Sequence, residues 1–232
     1  MLKIFEQKIK YNTFAQKGVF LMSARYPAYI TFIFILMVYY AATINRNTAW
    51  KDDIALWQDV AVKSPGNPRG HNNLGNAYKG DGRIEDALRE YKTALKLNPY
   101  LADARNNLGV IYKEKSLLDE AIAEYREALR HTHFPDHLKA IHRNLGGALG
   151  RKGFLDEAAR EYEEAVRLDP HDGDSYYNLG VLYSQKGLWD KAANAFSEAL
   201  KIKPDDTEAQ EGLQKALLLR QFRRGTHSGL SR

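Results

Sequence analysis

Apolar residues are arranged along this chain in two different ways. Residues 26–44 form one uninterrupted run without a charged side chain, whereas the apolar positions after about residue 54 recur every three or four residues between charged ones. The second arrangement is the pattern of amphipathic helices that bury one face. The chain is therefore predicted to be all-α, with one apolar helix ahead of a series of shorter amphipathic helices.

The apolar run has the length of a membrane-spanning helix. As a helix it would extend about 28 Å, close to the ~30 Å hydrocarbon core of a bilayer. Tyr26 and Tyr29 at one end, and Trp50 beyond the other, are suited to the membrane interface. A cleaved signal peptide is the alternative, but the run is long for one and residues 39–42 lack the small-x-small cleavage pattern. We therefore predict an uncleaved transmembrane helix at 26–44.

The net charge of +5 is unevenly distributed along the chain. Residues 1–51 contain seven basic side chains and one acidic, and residues 220–232 contain four arginines and no acid. Residues 52–219, in contrast, contain 23 basic and 28 acidic side chains. Because a nucleic-acid-binding protein usually has its basic surface on the folded domain, this distribution predicts no nucleic-acid partner.

The charges that flank the apolar run predict its orientation. The excess of basic residues lies before the run, and Asp52 and Asp53 offset the two basic residues that follow it. By the positive-inside rule, the N-terminus is expected in the cytoplasm and the rest of the chain on the exported side, which is periplasmic, extracellular or lumenal. The basic leader at 1–25 is expected to be either an amphipathic helix on the membrane surface or a segment without regular structure.

One segment, repeated four times, organises the rest of the chain. The copies share an Asn-Leu-Gly core, and their glycines are 34, 37 and 34 residues apart. A small–aromatic–small set follows each copy, as in Ala87, Tyr91 and Ala94. A period of 34 residues with this pattern is the signature of the tetratricopeptide repeat (TPR), and the chain resembles that family. The copies are HNNLGNAY (71–78), RNNLGVIY (105–112), HRNLGGAL (142–149) and YYNLGVLY (176–183).

This resemblance implies a TPR solenoid, a right-handed superhelix of antiparallel helix pairs in which each repeat contributes a helix A and a helix B. Gly82, Gly153 and Gly187 stand where helix A should end, with Ser116 in the second repeat. Acidic residues such as Asp119 begin helix B, where the helix dipole favours them. The predicted elements are a membrane-proximal capping helix at 50–67, repeats at 68–101, 102–138 (with an insertion), 139–172 and 173–206, a capping helix at 207–219 and a disordered basic tail at 220–232.

An asparagine precedes the Leu-Gly pair in every repeat. TPR helices A line the concave surface, and the O-linked N-acetylglucosamine transferase uses such an asparagine ladder to hold an extended peptide, so the resemblance implies that role here. The alternative is that the asparagines tighten the packing between repeats. The nearby cations are suited to acidic side chains or a C-terminal carboxylate, although the carboxylate clamp of chaperone-binding TPRs is not reproduced. The predicted peptide-binding residues are Asn73, Asn107, Asn144 and Asn178, their neighbours Asn72, Asn106, Arg143 and Tyr177, and the cations Lys79, Lys113 and Arg151.

The chain offers little for catalysis or metal binding. It contains no cysteine, no nucleophile–base–orienter set and no phosphate-binding glycine loop. His133 and His137 have the spacing of a metal-ligand pair within a cluster that also includes His131 and His142, but Pro135 interrupts any helix between them. A longer loop between repeats is the simpler explanation of this insertion. We therefore predict no enzymatic activity, metal, cofactor or small-molecule substrate.

A second resemblance covers roughly residues 26–220. A membrane helix followed by TPRs is similar to the C-terminal part of the transmembrane-and-TPR proteins, which are O-mannosyltransferase-like. Their multi-span catalytic bundle is missing, so this resemblance implies an accessory or truncated part that presents acceptor protein. The other prediction is a membrane-anchored scaffold that binds an extended segment of a protein partner. The residues of this second resemblance outside the repeats are Arg46, Asn47, Trp50, Leu56, Trp57, Lys63, Ser64 and Pro65.

Overall fold

The computed structural model describes residues 31–38 and 53–228, with side chains described up to residue 223. Residues 31–38 form a helix in which every residue is exposed. Within the described ranges, no helix combines the length and the apolar character needed to cross a membrane. The leader predicted at 1–25 and the rest of the span predicted at 26–44 lie outside the described residues.

A series of helices follows residue 52. Helix α1 (residues 53–63) corresponds to the described part of the predicted membrane-proximal capping helix. Gln58 Nε2 on this helix donates a 2.7 Å hydrogen bond to the hydroxyl of Tyr78. The next eight helices pair in sequence order, and the last helix packs on the final pair. The described helices after residue 52 are α1 (residues 53–63), α2 (Pro68–Gly80), α3 (Ile84–Leu97), α4 (Ala102–Glu114), α5 (Leu118–Arg130), α6 (Pro135–Lys152), α7 (Leu155–Leu168), α8 (Gly173–Gln185), α9 (Trp189–Ile202) and α10 (Thr207–Ser228).

Four helical hairpins form the predicted repeat array. Helices α2, α4, α6 and α8 are the helices A, and α3, α5, α7 and α9 are the helices B that pack against them. The backbone of each helix A also lies close to that of the helix A of the next repeat. Consecutive helices B have no such close backbone approach in the described part of the chain, although a side-chain ion pair joins Arg126 of α5 to Glu157 of α7 at 2.8 Å. Helices A are therefore crowded on the inner side of the curve and helices B are spread on its outer side. The predicted concave surface is thus formed by helices A.

The aromatic ring of each helix B lies directly over a glycine of its helix A. A methyl group built on Gly75 would lie 2.6 Å from the Tyr91 ring, and one built on Gly180 would lie 2.6 Å from the Phe196 ring. Real side chains do not approach so closely, so only glycine permits this packing. Gly109 with Tyr125 and Gly146 with Tyr162 repeat the contact. These contacts explain the glycines that define the sequence period.

Helices A end as the sequence predicted. Gly82, Gly153 and Gly187 all have positive φ angles, between 67° and 88°. Ser116 replaces glycine in the second repeat and still adopts φ 62°. Its hydroxyl oxygen accepts a 3.1 Å hydrogen bond from Arg151 Nη2 of the third repeat. This bond offsets part of the strain that a non-glycine residue bears in the left-handed region.

The insertion between the second and third repeats lies inside a helix, which differs from the predicted longer loop. The connection between α5 and α6 spans residues 131–134, the same length as the connection at 98–101. The extra residues instead lengthen α6 at its N-terminal end, where Pro135 occupies the first turn. Proline is favoured there because its missing N–H would be unpaired in any case.

The C-terminal helix is longer than predicted. Helix α10 continues to Ser228 instead of ending at 219, so most of the predicted disordered tail at 220–232 is helical. Arg220 Nη1 lies 3.6 Å from a carboxylate oxygen of Asp190, and Arg223 Nη1 donates to the carbonyl of Gly187 at 3.3 Å. These contacts to the last hairpin stabilise a segment whose composition alone suggested a solvated tail.

Ion pairs connect each repeat to the next at the beginning of helix B. The acidic residues at this place, which the helix dipole is predicted to favour, also bind a cation from the following repeat. Asp190 of the last repeat, paired with Arg220 of α10, continues this series. The sequence predicted the acids, but their partners 30 to 33 residues away became evident only in the structure. The pairs between repeats are Glu85–Lys115, Asp119–Lys152 and Asp156–Lys186.

Candidate concave binding surface

The first junction of the concave surface, between α2 and α4, is a closed network of amides. Asn107 Nδ2 donates to Asn72 Oδ1 at 3.1 Å and to Asn76 Oδ1 at 2.9 Å. The hydroxyl of Tyr91, over Gly75, donates to the same Asn76 oxygen at 2.7 Å. Both amide hydrogens of Asn107 are therefore used between repeats, while its own side-chain oxygen accepts no hydrogen bond from the described residues.

The second junction, between α4 and α6, has the same geometry with one substitution. Asn144 Nδ2 donates to Asn106 Oδ1 at 3.0 Å, as Asn107 does to Asn72 in the first junction. However, Val110 occupies the position that corresponds to Asn76. This junction therefore lacks one acceptor that the first junction has.

The Tyr125 hydroxyl is left without a partner by that substitution. Tyr125 is fully buried, and its oxygen forms no hydrogen bond in the described part of the chain. Tyr91, its counterpart one repeat earlier, donates to Asn76. Burial raises the pKa of Tyr125, so its hydroxyl remains a proton donor at every physiological pH. The second junction thus has more donors than acceptors.

The other two asparagines of the predicted ladder are arranged differently. Asn178 Nδ2 donates to the carbonyl of Asp174 in its own helix at 2.7 Å. Asn73 receives a 3.4 Å hydrogen bond from its neighbour Asn72, which is itself buried. The four ladder asparagines are all on helices A, but only Asn107 and Asn144 connect successive repeats. Those two asparagines have the packing role considered above as an alternative, and the peptide role stays a prediction.

Four cations lie on or beside the concave surface, and two have carboxylate partners. Lys79 Nζ is 3.5 Å from Glu114, and Arg143 Nη1 is 3.6 Å from the buried Asp172 at the start of α8. The other two, Lys113 and Arg151, form no ion pair within the described residues.

Lys113 and Arg151 are held by neutral groups instead of carboxylates. Lys113 Nζ donates to Asn144 Oδ1 at 3.3 Å, and Arg151 Nη1 donates to the carbonyl of Lys113 at 2.7 Å. Burial lowers the pKa of Lys113, and the charges of Arg151, Arg143 and Lys79 act in the same direction against that of Glu114. Burial is thus the main cause of the lowered pKa of Lys113, which lies near one carboxylate and three other cations.

Tyr177 belongs to the last repeat and faces the capping helix. Its ring lies 5.9 Å from that of Phe196, measured between centroids. Burial raises the pKa of Tyr177, and a hydrogen bond to Glu208 of α10 raises it further. Tyr177 therefore packs between the last hairpin and α10, and its role in binding a peptide stays a prediction.

Sequence reasoning missed the central acceptor of the first junction. Asn76 binds both Tyr91 and Asn107, but it is not shared among the repeats: Val110, Gly147 and Val181 occupy the corresponding positions. A search for residues common to all four repeats cannot find it. Comparing the repeats for differences at the position three residues after each ladder asparagine would have singled it out.

The histidines near the insertion are engaged separately. His142 Nδ1 lies 2.7 Å from Glu161, and His137 Nδ1 lies 3.0 Å from Asp103. The His131 ring packs against Tyr100 with 4.7 Å between ring centroids. Across the described ranges, no three histidine or acidic side chains gather in a way that would hold a metal ion.

Solved structures share the fold of this chain. The chain superposes on a crystal structure of MamA protein with a TM-score of 0.61 and 23% identity, covering 69% of this chain and 86% of that one. It superposes on the APC/C hetero-tetramer Cut9-Hcn1 with a TM-score of 0.66 and 23% identity, covering 72% of this chain and 33% of that one. At this identity the likeness establishes the fold alone.

Curated relatives match a shorter stretch. Protein O-mannosyl-transferase TMTC1 of Homo sapiens is 31% identical over 75 residues, which is 32% of this chain and 8% of the human protein. Protein O-mannosyl-transferase Tmtc2 of Drosophila melanogaster is 28% identical over 74 residues, again 8% of its length. The chain thus corresponds to a small part of these proteins, as the sequence resemblance to the transmembrane-and-TPR proteins predicted.

The family comparison agrees with the repeat period and with the observed hairpins. The tetratricopeptide repeat model matches residues 72–134 and 143–207, together more than half of the chain. These ranges begin and end within the array of α2 to α10 and leave out the lengthened start of α6. The chain therefore belongs to the tetratricopeptide repeat family.

Proposed function

We propose that this protein is a non-catalytic, membrane-anchored scaffold whose concave surface binds an extended segment of a protein partner. The observation that most favours this proposal is the polar character of the surface formed by helices A. The carbonyl oxygen of Asn107 and the second amide hydrogen of Asn144 have no partner among the described residues, and they lie on successive repeats. An extended peptide presents backbone N–H and C=O groups that complement such amides.

Asn178→Ala is the variant that tests the binding surface with least damage to the array. The Asn178 side chain donates only to its own helix, so its removal breaks no bond between repeats. Losing one hydrogen bond to a peptide should weaken capture about three- to tenfold. Capture is measured by quantitative crosslinking and recovery of partners from membranes that contain the full chain.

Asn194→Ala provides the matched control. Asn194 is an exposed residue of α9, a helix B on the outer side of the curve. Its substitution removes the same type of side chain as Asn178→Ala. Capture should be unchanged in this variant, and both variants should retain their thermal melting temperature. Equal recovery of partners with both variants would show that the concave amides do not bind the partner.

The membrane anchor is proposed from the apolar run at 26–44. In its described part, Phe32, Phe34 and Met37 are at least 60% exposed, which suits a lipid environment better than water. The basic excess before the run favours an exported repeat array. Protease added to intact spheroplasts should therefore digest the repeats while the protein remains in the membrane fraction after alkaline extraction. Protected repeats, or release by alkaline extraction, would contradict this arrangement.

A second candidate function follows from the match to O-mannosyl-transferases. The chain would then be an accessory part that presents acceptor protein to a separate multi-span transferase. The identity to TMTC1 favours this candidate over other membrane scaffolds, although it covers 32% of the chain. Recovery of a multi-span transferase among the crosslinked partners distinguishes it from a general scaffold.

A further inference from the structure

Two large apolar side chains are exposed on the outer side of the last helix, α10. Leu218 is 53% exposed and Phe222 is 64% exposed. They are four residues apart, so both lie on one face of the helix. Ala216 and Leu217, in contrast, pack with the core of the array. The apolar residues of α10 therefore occupy two faces of the helix, and the array covers only one of them.

The pairing of Leu218 with Phe222 distinguishes this face from the other exposed aromatic side chains of the array. Tyr100, Phe134 and Phe154 are also exposed, but each lies in a different connection between helices. Single apolar side chains on a surface are common in soluble proteins, whereas an apolar face on a helix indicates a contact.

The charge of this part of the chain is entirely basic. Glu211 is the last acidic residue of the sequence, and five lysine and arginine residues follow it. Lys215 lies three residues before Leu218 and seven before Phe222, so it belongs to the same face of the helix. A lysine can lay its carbon chain along an apolar surface and keep its ammonium group in a polar layer. The exposed face thus combines apolar side chains with positive charge.

The last hairpin holds this helix in place through its arginines. Arg220 Nη1 lies 3.6 Å from a carboxylate oxygen of Asp190, and Arg223 Nη1 donates to the carbonyl of Gly187 at 3.3 Å. The exposed face is therefore presented by a helix that is already folded. Its binding to a surface requires little additional ordering, which leaves more of the interaction free energy for binding.

We propose that the C-terminal half of α10 binds an anionic lipid surface. Leu218 and Phe222 would enter the boundary between headgroups and acyl chains, and the basic side chains would lie at the phosphates. A lipid surface is favoured over a protein partner because it accommodates apolar and basic groups distributed along a helix without a complementary pocket. A second copy of this chain is disfavoured, because two such faces would bring basic residues together with no acid after Glu211 to offset them.

This inference goes beyond the proposed function and depends on neither the anchor at 26–44 nor peptide binding. A contact through α10 would give the array a preferred orientation on a membrane, because it engages the last helix of the series.

The test uses a fluorescent label at one position of the full chain, which contains no natural cysteine. Gln221→Cys places the label on an exposed residue beside Leu218 and Phe222. The labelled chain is combined with vesicles of phosphatidylcholine alone, or of phosphatidylcholine and phosphatidylglycerol in equal amounts. We expect the emission to shift to the blue, and brominated lipids to quench it, only in the vesicles that contain phosphatidylglycerol. Asn194→Cys on the outer side of α9 is the control, and its label should report water in both kinds of vesicle.

Phe222→Ser in the Gln221→Cys chain tests the apolar part of the contact. This change should lower the ratio of bound to unbound α10 about tenfold, because most of the aromatic ring leaves the lipid. Phe134→Ser is the matched control, since Phe134 is 69% exposed in the connection between α5 and α6. It should leave the label at residue 221 unchanged. Both variants should keep the melting temperature of the natural chain, because both side chains are exposed.

Lys215→Gln tests the electrostatic part of the contact. Removing one charge at an anionic surface should lower the ratio of bound to unbound α10 about fivefold, and high salt should reduce the difference. Lys92→Gln on the exposed side of α3 is the control for the loss of one charge and should have no effect on the label.

The possible outcomes separate the lipid surface from the other occupants. A label that stays in water in anionic vesicles, or an equal blue shift in both kinds of vesicle, would overturn the proposal. A shift that increases with the number of chains per vesicle and is not quenched by brominated lipid would identify a second copy instead. A shift in native membranes but not in pure lipid would identify a protein partner. Because the label reports on α10 alone, failure of the anchor or of peptide capture would leave this result unchanged.

Discussion

Gly180→Ala and Gly212→Ala are each expected to destabilise the last repeat by about 2 kcal/mol, although alanine is the better helix former. The Phe196 ring lies between the two glycines. A methyl group built on either of them would lie 2.6 Å from the ring, and Phe196 is almost fully buried. Because the ring cannot move away from one helix without entering the other, overpacking outweighs the helix propensity of alanine. The measurement is the urea midpoint followed by circular dichroism.

Gly80→Ala is the control for the change of residue type. Gly80 ends α2, and a methyl group built on it would meet nothing within 4 Å. This substitution should leave stability unchanged or raise it by up to about 1 kcal/mol. A second test adds Gly180→Ala to a Phe196→Leu variant, in which the smaller side chain makes room for the methyl group. Gly180→Ala should then destabilise the Phe196→Leu variant by less than it destabilises the natural chain. If Gly180→Ala destabilises the chain no more than Gly80→Ala does, the packing argument is wrong.

Tyr125→Phe is expected to stabilise the array by about 1 kcal/mol, because it removes a buried hydroxyl that has no hydrogen-bond partner. Tyr91→Phe, the same change one repeat earlier, should instead destabilise by about 1 kcal/mol, because the 2.7 Å bond to Asn76 is lost. Both residues are fully buried over a glycine, so the two variants differ mainly in that bond. Thermal and urea unfolding of the full chain measure the difference.

Val110→Asn tests the cause of the difference. The new amide would stand where Asn76 stands in the first junction and give Tyr125 an acceptor. In the Val110→Asn background, Tyr125→Phe should therefore no longer stabilise the chain. If Tyr125→Phe and Tyr91→Phe change stability by the same amount in the same direction, the explanation by a missing acceptor is wrong.

The repeat architecture was predictable because its causes are local and periodic. A glycine that admits an aromatic ring, a residue with positive φ at the end of helix A and an acid at the start of helix B recur at fixed places, and each reflects the geometry of one hairpin. Even the exception, Ser116, adopts the left-handed conformation that its position in the repeat requires. Four repeats of such a pattern leave little room for another fold.

The elements that sequence reasoning misplaced depend on contacts with a distant part of the chain. Residues 220–228 have the composition of a solvated tail, but Arg220 and Arg223 bind groups at the start of the last helix B and extend α10. The insertion suggested a loop, but Pro135 allows an additional turn at the start of α6. In both cases the local composition permitted either a helix or an irregular segment. Tertiary contacts favoured the helix in α10, and a proline in the first turn favoured it in α6.

The sequence by itself determined that this protein is a series of TPR hairpins and that its inner surface is rich in asparagine. Only the tertiary structure decided what each asparagine does. Asn107 and Asn144 meet groups 31 to 38 residues away, at distances set by the curvature of the array. One change between repeats, Asn76 to Val110, then leaves the buried Tyr125 hydroxyl unpaired among the described residues. A repeat pattern describes what the units share, whereas the chemistry of the concave surface arises from how unlike residues of neighbouring units meet.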